Sequence, residues 1–323
     1  MSMNANNKRD DFAIIITGPT ASGKSDLAMQ LADEMNGIII CCDSMQIYRG
    51  MDIGTAKPTA ADRATVPHRL FDIREPNSIY NVSDYVDLAR RTAAEVIAMG
   101  KIPIFCGGTG QYISALAEGL QFISVPADRS LRLHFEQEYE RLGGEAMLLK
   151  IAEFDQLAAA KLAPRDRKRI VRALEVWQQT GLTPTEINIR SRINGPEREY
   201  LVFACNLPRQ YLYERINHRV DLMIAAGLEA EARQIRQTYP EPDAAFTAAI
   251  GYKEWLPYFD RSDENQPADR DKVVDKIRQN SRNYAKRQLS LLRGKSYVYW
   301  LNGTSTGERI EEIKFILRGR KTE

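Results

Sequence analysis

Residues 18–25 read Gly-Pro-Thr-Ala-Ser-Gly-Lys-Ser and follow directly on the apolar run Phe12-Ala-Ile-Ile-Ile-Thr17. This G-x-x-x-x-G-K-[ST] octapeptide constrains the chain more than any other feature. Gly18 and Gly23 let the backbone turn tightly, so that successive N–H groups point inward at phosphate oxygens. Lys24 adds a point charge, and the Ser25 hydroxyl suits a Mg²⁺ already bound to those oxygens. The helix that follows presents its N-terminus, with unpaired amides and a favourable dipole. A strand before it and a helix after it are the context such a loop requires, and the ligand it implies is a di- or triphosphate.

The rest of the first 120 residues repeats the same grammar. Residues 24–35 read as a helix with Leu27, Leu31 and Met35 on one face, stopped by Asn36-Gly37. Ile38–Cys42 is a second strand ending at Asp43-Ser44. Ser83 is placed to cap a helix reaching about Met99, and Ile102–Cys106 is a third strand ending in Gly107-Gly-Thr-Gly110. A further helix runs to about Glu118. Strands alternating with helices imply an α/β fold, a P-loop parallel sheet wrapped by helices, with ligands beyond the carboxyl ends of the strands. The three named strand ends all carry polar chemistry, so one site can use them all.

Between about Pro126 and Gly195 strand signals fade and charged helical patterns dominate, as in residues 131–142 and 166–179. We expect residues 126–199 to be an all-helical insertion between two parts of one core, 1–125 and 200–323. Residues 200–207 return to an apolar strand, and 297–301 read as a short one. At 323 residues and net charge +2 the chain can bury a large core, and an anionic partner must be met by local patches. The N-terminal residues lack a signal-peptide core, and no apolar run approaches the roughly 20 residues of a membrane span. The reading is a cytoplasmic protein without membrane attachment. Cys41, Cys42, Cys106 and Cys205 lie in apolar runs without metal-ligand spacing and read as buried, reduced thiols.

Two segments are locally basic. Residues 276–295 hold seven Lys/Arg and no acid, and Arg278, Arg282 and Lys286 recur on one helix face, while Ile277, Tyr284 and Leu291 recur every seven as a docking face. Residues 161–172 hold six basic residues against Asp166 alone, with Lys161, Arg165, Lys168 and Arg172 on one side if the segment is helical throughout. Such stretches fit a phosphate backbone. Asp43 is a candidate general base or a structural cap, and Thr109 a donor to a phosphate or leaving oxygen or a turn residue. Arg215 and Arg219 either face phosphates or pair with Glu214 and Asp221. Trp177 reads as helix core, and the three histidines suggest no metal site.

Taken together these segments resemble the tRNA dimethylallyltransferase (tRNA isopentenyltransferase) family, in its short bacterial form, across nearly the whole chain. The resemblance rests on Gly18–Ser25, Asp43-Ser-Met-Gln-Ile-Tyr48, Met51-Asp-Ile-Gly-Thr-Ala-Lys-Pro58, Pro67-His-Arg-Leu-Phe-Asp72, Gly107–Gly110, Arg172-Ala-Leu-Glu-Val176, Gly251-Tyr-Lys253 and Lys286-Arg-Gln-Leu-Ser-Leu-Leu-Arg293. It implies transfer of a dimethylallyl group from its diphosphate to the exocyclic amine of the adenine 3′ of a tRNA anticodon. It further implies Asp43 as base and Thr109 as donor to the leaving group. Gly18, Thr20, Ala21, Ser22, Gly23, Lys24, Ser25 and Arg219 are then expected on the diphosphate, with Mg²⁺ at Ser25. The tRNA contacts it implies are Asp43, Ser44, Met45 and Gln46, then Arg132, Lys168, Arg169, Ile170, Val171 and Arg172. They continue with Ala248, Ala249, Ile250, Gly251, Tyr252 and Lys253, and with Lys286, Arg287, Gln288, Leu289, Ser290, Leu291, Leu292 and Arg293. One tRNA per chain requires no dimer, so a monomer is expected. An ATP-dependent kinase, a prenyltransferase acting on free adenine nucleotides and an RNA-binding nucleotide switch are the rivals. The first two leave the helical insertion without a role, and the switch would keep its function without Asp43.

Overall fold

Strands joined through helices pair in parallel, because each crossover returns the chain to the same end of the sheet, and the helices then cover both faces. In the computed structural model, which describes residues 11–122, 128–241, 244–260 and 267–320, they do so. Strands β1 (Phe12–Thr17), β2 (Gly37–Cys41), β3 (His68–Arg69), β4 (Ile102–Cys106), β5 (Glu199–Cys205) and β6 (Val298–Leu301) form one parallel sheet ordered β3-β2-β4-β1-β5-β6. β3 escapes a sequence reading because two residues are too short to show a period; the other five fall within two residues of the expected limits at each end.

Two compact units follow from the chain. The first, residues 1–117 and 198–323, holds the sheet; the second is residues 118–197. Residue 126, where the insertion was expected to begin, and residues 1–10 lie outside the described residues. In the first unit, α1 (Lys24–Glu34), α2 (Ala60–Thr65), α3 (Val82–Ala98) and α4 (Gly110–Ala117) belong to the first half of the sheet. Leu27 and Leu31 of α1 bury fully against Ile14, Ile16 and Ile104, and Met35 packs at the margin of that core. α3 is capped by Asn81 rather than Ser83: the Asn81 side chain accepts from Asp84 N–H and the Asp84 carboxylate answers from Asn81 N–H, a reciprocal box that Ser83 has no partner to form.

The second unit comprises α5 (Arg129–Ala152), α6 (Gln156–Lys161), α7 (Arg167–Thr180) and α8 (Pro184–Arg190) around Phe135, Met147, Ile151, Ile170 and Leu174. α5 is broken at Gly143 (φ 79°, ψ 161°), and a Cβ on Gly144 would stand 1.8 Å from Pro164 O. Residues 161–172 are not one helix. α6 ends at Lys161, Pro164 lies in the connection, and the Asp166 side chain caps α7. Trp177 is half-buried and stacks on Phe154 with centroids 4.1 Å apart, at the margin of the core and not within it as expected.

The first unit resumes with α9 (Arg209–Ala225), α10 (Leu228–Thr238), α11 (Leu256–Phe259), α12 (Pro267–Arg293) and α13 (Thr306–Gly319). The buried line of α12 is Val274, Ile277, Ala285, Gln288 and Leu292, while Leu291 is exposed. A seven-residue spacing drifts by about 20° per repeat around a straight helix, so the stripe follows the 3.6-residue turn and leaves the expected 277–284–291 line. All four cysteines are buried and free, and burial pushes the thiols of Cys42 and Cys106 up to about 12. Among the described residues no helix is long and apolar enough to cross a membrane.

Candidate functional site

The strand order places the end of β4 between the ends of β1 and β2. With neighbouring strands about 4.8 Å apart, the phosphate loop after β1 and Asp43 after β2 are held about 10 Å apart, with Gly107–Thr109 between them. Close approach at this junction needs glycine: a Cβ on Gly107 would stand 2.0 Å from Cys42 O. The loop itself turns at Gly18 (φ 141°), where a Cβ would press on Cys205, and at Gly23 (φ 83°), which opens α1.

Two arginines hold the outer side of this loop. Arg215 Nε donates to Ala21 O at 2.8 Å, and Arg309 Nη1 donates to Ser22 O at 3.2 Å. Beside it, Ser22, Gly23, Lys24, Ser25, Arg215, His218 and Arg219 line a cavity of about 380 Å³. Burial, and next the nearby Arg219 charge, depress the Lys24 pKa. Burial also depresses that of Arg219, opposed by the charges of Asp43 and Asp26. Two half-buried cations side by side on this cavity favour an anion there. Of the two alternatives for the arginine pair, Arg215 faces the phosphate loop, and Arg219 has no carboxylate within ion-pair distance among the described residues.

A second cavity of about 250 Å³ adjoins the ends of β1 and β2, lined by Thr20, Asp43, Ser44, Met45, Gly54, Thr55, Arg219, Tyr284, Arg287 and residues from 248 to 253. Arg219 lines both cavities, with Lys24 in one and Asp43 in the other. Asp43 Oδ1 accepts from Met45 N–H at 2.9 Å, which fixes the carboxylate in a turn. The Thr109 hydroxyl accepts from Ser44 N–H at 2.8 Å and donates to Ser44 Oγ at 3.2 Å. It therefore ties the β4 end to the β2 end, beside the base candidate.

The residues expected on tRNA separate into different environments. Ser44, Met45, Ala248, Ala249, Ile250, Gly251, Lys253 and Arg287 line the cavity with Asp43. Lys286, Ser290, Leu291 and Arg293 are exposed on α12. Gln46 turns inward and donates to Thr55 O and Ala56 O at 3.0 and 3.2 Å. Tyr252, Gln288 and Leu292 are buried, and Leu289 packs against Ala21, Leu212, Ile216 and Ala285. Arg278 pairs with Asp221 and Asp275 and Arg282 bonds Asn217, so much of the expected basic face is occupied by the protein itself. In the helical unit, Ile170 and Val171 are core. Lys168 and Arg169 are exposed. Arg132 and Arg172 both reach the buried Glu175, each at 3.1 Å.

One wall of the second cavity depends on a residue that sequence reasoning missed. Glu231 of α10 accepts from the N–H groups of Asp52, Ile53 and Gly54 at 2.9–3.1 Å, and from Tyr252 O–H at 2.6 Å. It thereby joins the 52–54 turn to the 248–253 segment. Nothing near Glu231 in sequence signals this, because its partners in the turn are 177–179 residues away. Glu231→Ala strands these donors and should lower stability by about 2–4 kcal/mol. The urea midpoint checks it: an unchanged midpoint would mean that the turn finds other acceptors.

No group of three or more His, Cys, Asp or Glu among the described residues could hold a metal. The exposed Ser25 hydroxyl at the loop cavity, completed by ligand oxygens and water, is a donor set that fits Mg²⁺, which keeps several waters and prefers oxygen.

Compared with known proteins, residues 46–295 match the family model described as IPP transferase, and residues 12–75 match that of isopentenyl transferase. A tRNA dimethylallyltransferase 1 of Trichlorobacter lovleyi is 40% identical over 289 residues, 89% of this chain and 92% of that protein. The solved full-length tRNA isopentenylpyrophosphate transferase of Bacillus halodurans aligns at TM-score 0.69 with 35% identity, covering 97% of this chain and 98% of the other. A eukaryotic dimethylallyltransferase acting on tRNA aligns at TM-score 0.75 with 25% identity, over 90% of this chain and 73% of its own.

Proposed function

The chain belongs to the IPP transferase family of tRNA-modifying prenyltransferases, and from that premise we propose how its residues perform the transfer. The donor is dimethylallyl diphosphate, whose diphosphate lies in the loop cavity against the amides of residues 21–25, Lys24 and Arg219. The acceptor is the exocyclic amine of the adenine 3′ of the anticodon, turned out of its loop into the cavity that holds Asp43. The observation that carries this reading is Arg219, whose side chain lines both cavities between Lys24 and Asp43.

In the transfer, the amine nitrogen bonds to the allylic carbon as the carbon–oxygen bond to diphosphate breaks. The amine becomes acidic as that bond forms, and Asp43 takes its proton. Lys24, the loop amides and Arg219 meet the charge that accumulates on the departing diphosphate. Mg²⁺ held at Ser25, when bound, would supply further neutralisation of the same oxygens. Thr109 keeps the Ser44 turn, and so Asp43, in place, and its hydroxyl can turn to a leaving oxygen. Lys286, Arg287 and Arg293, with Lys168, Arg169, Arg132 and Arg172 of the helical unit, are assigned to RNA phosphates of the anticodon stem-loop. A tRNA substrate puts the reaction in the cytoplasm, with one chain acting as a monomer on one tRNA.

The test is mass spectrometry of an unmodified anticodon stem-loop incubated with protein, Mg²⁺ and dimethylallyl diphosphate. An adenosine heavier by one dimethylallyl group is expected. An unchanged RNA, with ATP hydrolysis or phosphate transfer instead, would move the assignment to a kinase.

A further inference from the structure

We infer that Gln288 is a positioning residue of the transfer site, which acts through the phosphate loop and not on RNA. The inference rests on the function proposed above. Gln288 sits in the basic segment of α12, yet it is only 7% exposed while Lys286, Arg287 and Arg293 are open. Successive residues turn by about 100° around a helix, so Gln288 points inward where its neighbours point out.

Both ends of its amide are used there. Gln288 Oε1 accepts from Thr20 N–H of the phosphate loop at 2.9 Å, and Nε2 donates to Gly108 O at 2.8 Å. The two partners fix which end of the amide faces which, since a backbone N–H must meet oxygen and a carbonyl must meet N–H. A neutral side-chain amide of this length offers both a donor and an acceptor. Asparagine is a methylene too short, and glutamate would bring charge and no donor.

The surrounding backbone is shaped to admit it. A Cβ on Gly108 would stand 2.1 Å from Gln288 Nε2, and one on Gly110 would stand 2.9 Å from Leu291. Tyr284 O–H also reaches Gly108 O, at 3.4 Å. One side chain thus holds the first half of the phosphate loop and the segment leading to Thr109 in register.

Gln288→Met keeps the length and packing and removes both hydrogen bonds. In the full chain, the Kd of inorganic diphosphate with Mg²⁺ should rise about tenfold, while the Kd of the anticodon stem-loop stays within about twofold. Gly108→Ala, which displaces the amide without changing α12, should give the same pattern, and the double variant should cost no more than the larger single. A raised RNA Kd with unchanged diphosphate affinity would make Gln288 an RNA contact and overturn the inference; so would no change in either. Absence of prenylation by the unaltered chain would instead strike the proposed function, because diphosphate affinity is read without RNA.

Discussion

Asp43→Asn is expected to lower the single-turnover prenylation rate by about 10²–10⁴-fold while the protein folds and binds the stem-loop normally. The choice of asparagine follows from the turn. Its side-chain oxygen can still accept the Met45 N–H that Asp43 Oδ1 accepts at 2.9 Å, so the cavity wall keeps its shape. What asparagine cannot do is take a proton. Alanine would remove the cap as well and mix two effects. Neighbouring groups do not supply a substitute, since the Thr109 and Ser44 hydroxyls are bonded to one another and burial raises the Tyr284 phenol. Rapid-quench kinetics at saturating RNA and dimethylallyl diphosphate measure the rate directly. A rate within threefold of the unaltered chain would place the base elsewhere and leave Asp43 as a cap.

The phosphate loop, the core strands and the parallel topology were readable because each is encoded locally. A glycine-lysine loop must sit between a strand and a helix, and runs such as 12–17 and 102–106 have no polar face to expose. What failed were features set by long-range geometry. Gln288 and Lys286 look alike in a basic segment, and only the turn of α12 shows that one faces Thr20 and the other solvent. Glu231 gives no local signal because its acceptor role exists only once the 52–54 turn has folded against α10. Arg309 braces the loop from 287 residues further on, through a carbonyl that carries no side-chain label, whereas Arg215 on Ala21 O is one of the two alternatives that the sequence offers. Ser83 lost to Asn81 because the cap is decided by which residue has an acid three positions on.

Lys24→Met should lower kcat/KM for dimethylallyl diphosphate by about 10²–10³-fold, with the stem-loop Kd little changed. Methionine keeps an apolar stem and removes the cation, so the loss reports charge on the departing diphosphate rather than packing. The unaltered chain adds a pH signature. Burial and the adjacent Arg219 hold the Lys24 pKa below the ordinary 10.5 of a lysine. On the proposed function the protonated amine is the form that binds diphosphate. Affinity is therefore full below the lowered pKa and falls as pH rises through it, earlier than an ordinary lysine would allow. Bound diphosphate brings negative charge that restores the proton, so binding in that window takes up a proton from buffer. Calorimetry in two buffers of different ionisation enthalpy reads that uptake, which should vanish in Lys24→Met. Equal uptake in both proteins would assign the proton to another group, and an unchanged kcat/KM would remove Lys24 from the diphosphate altogether.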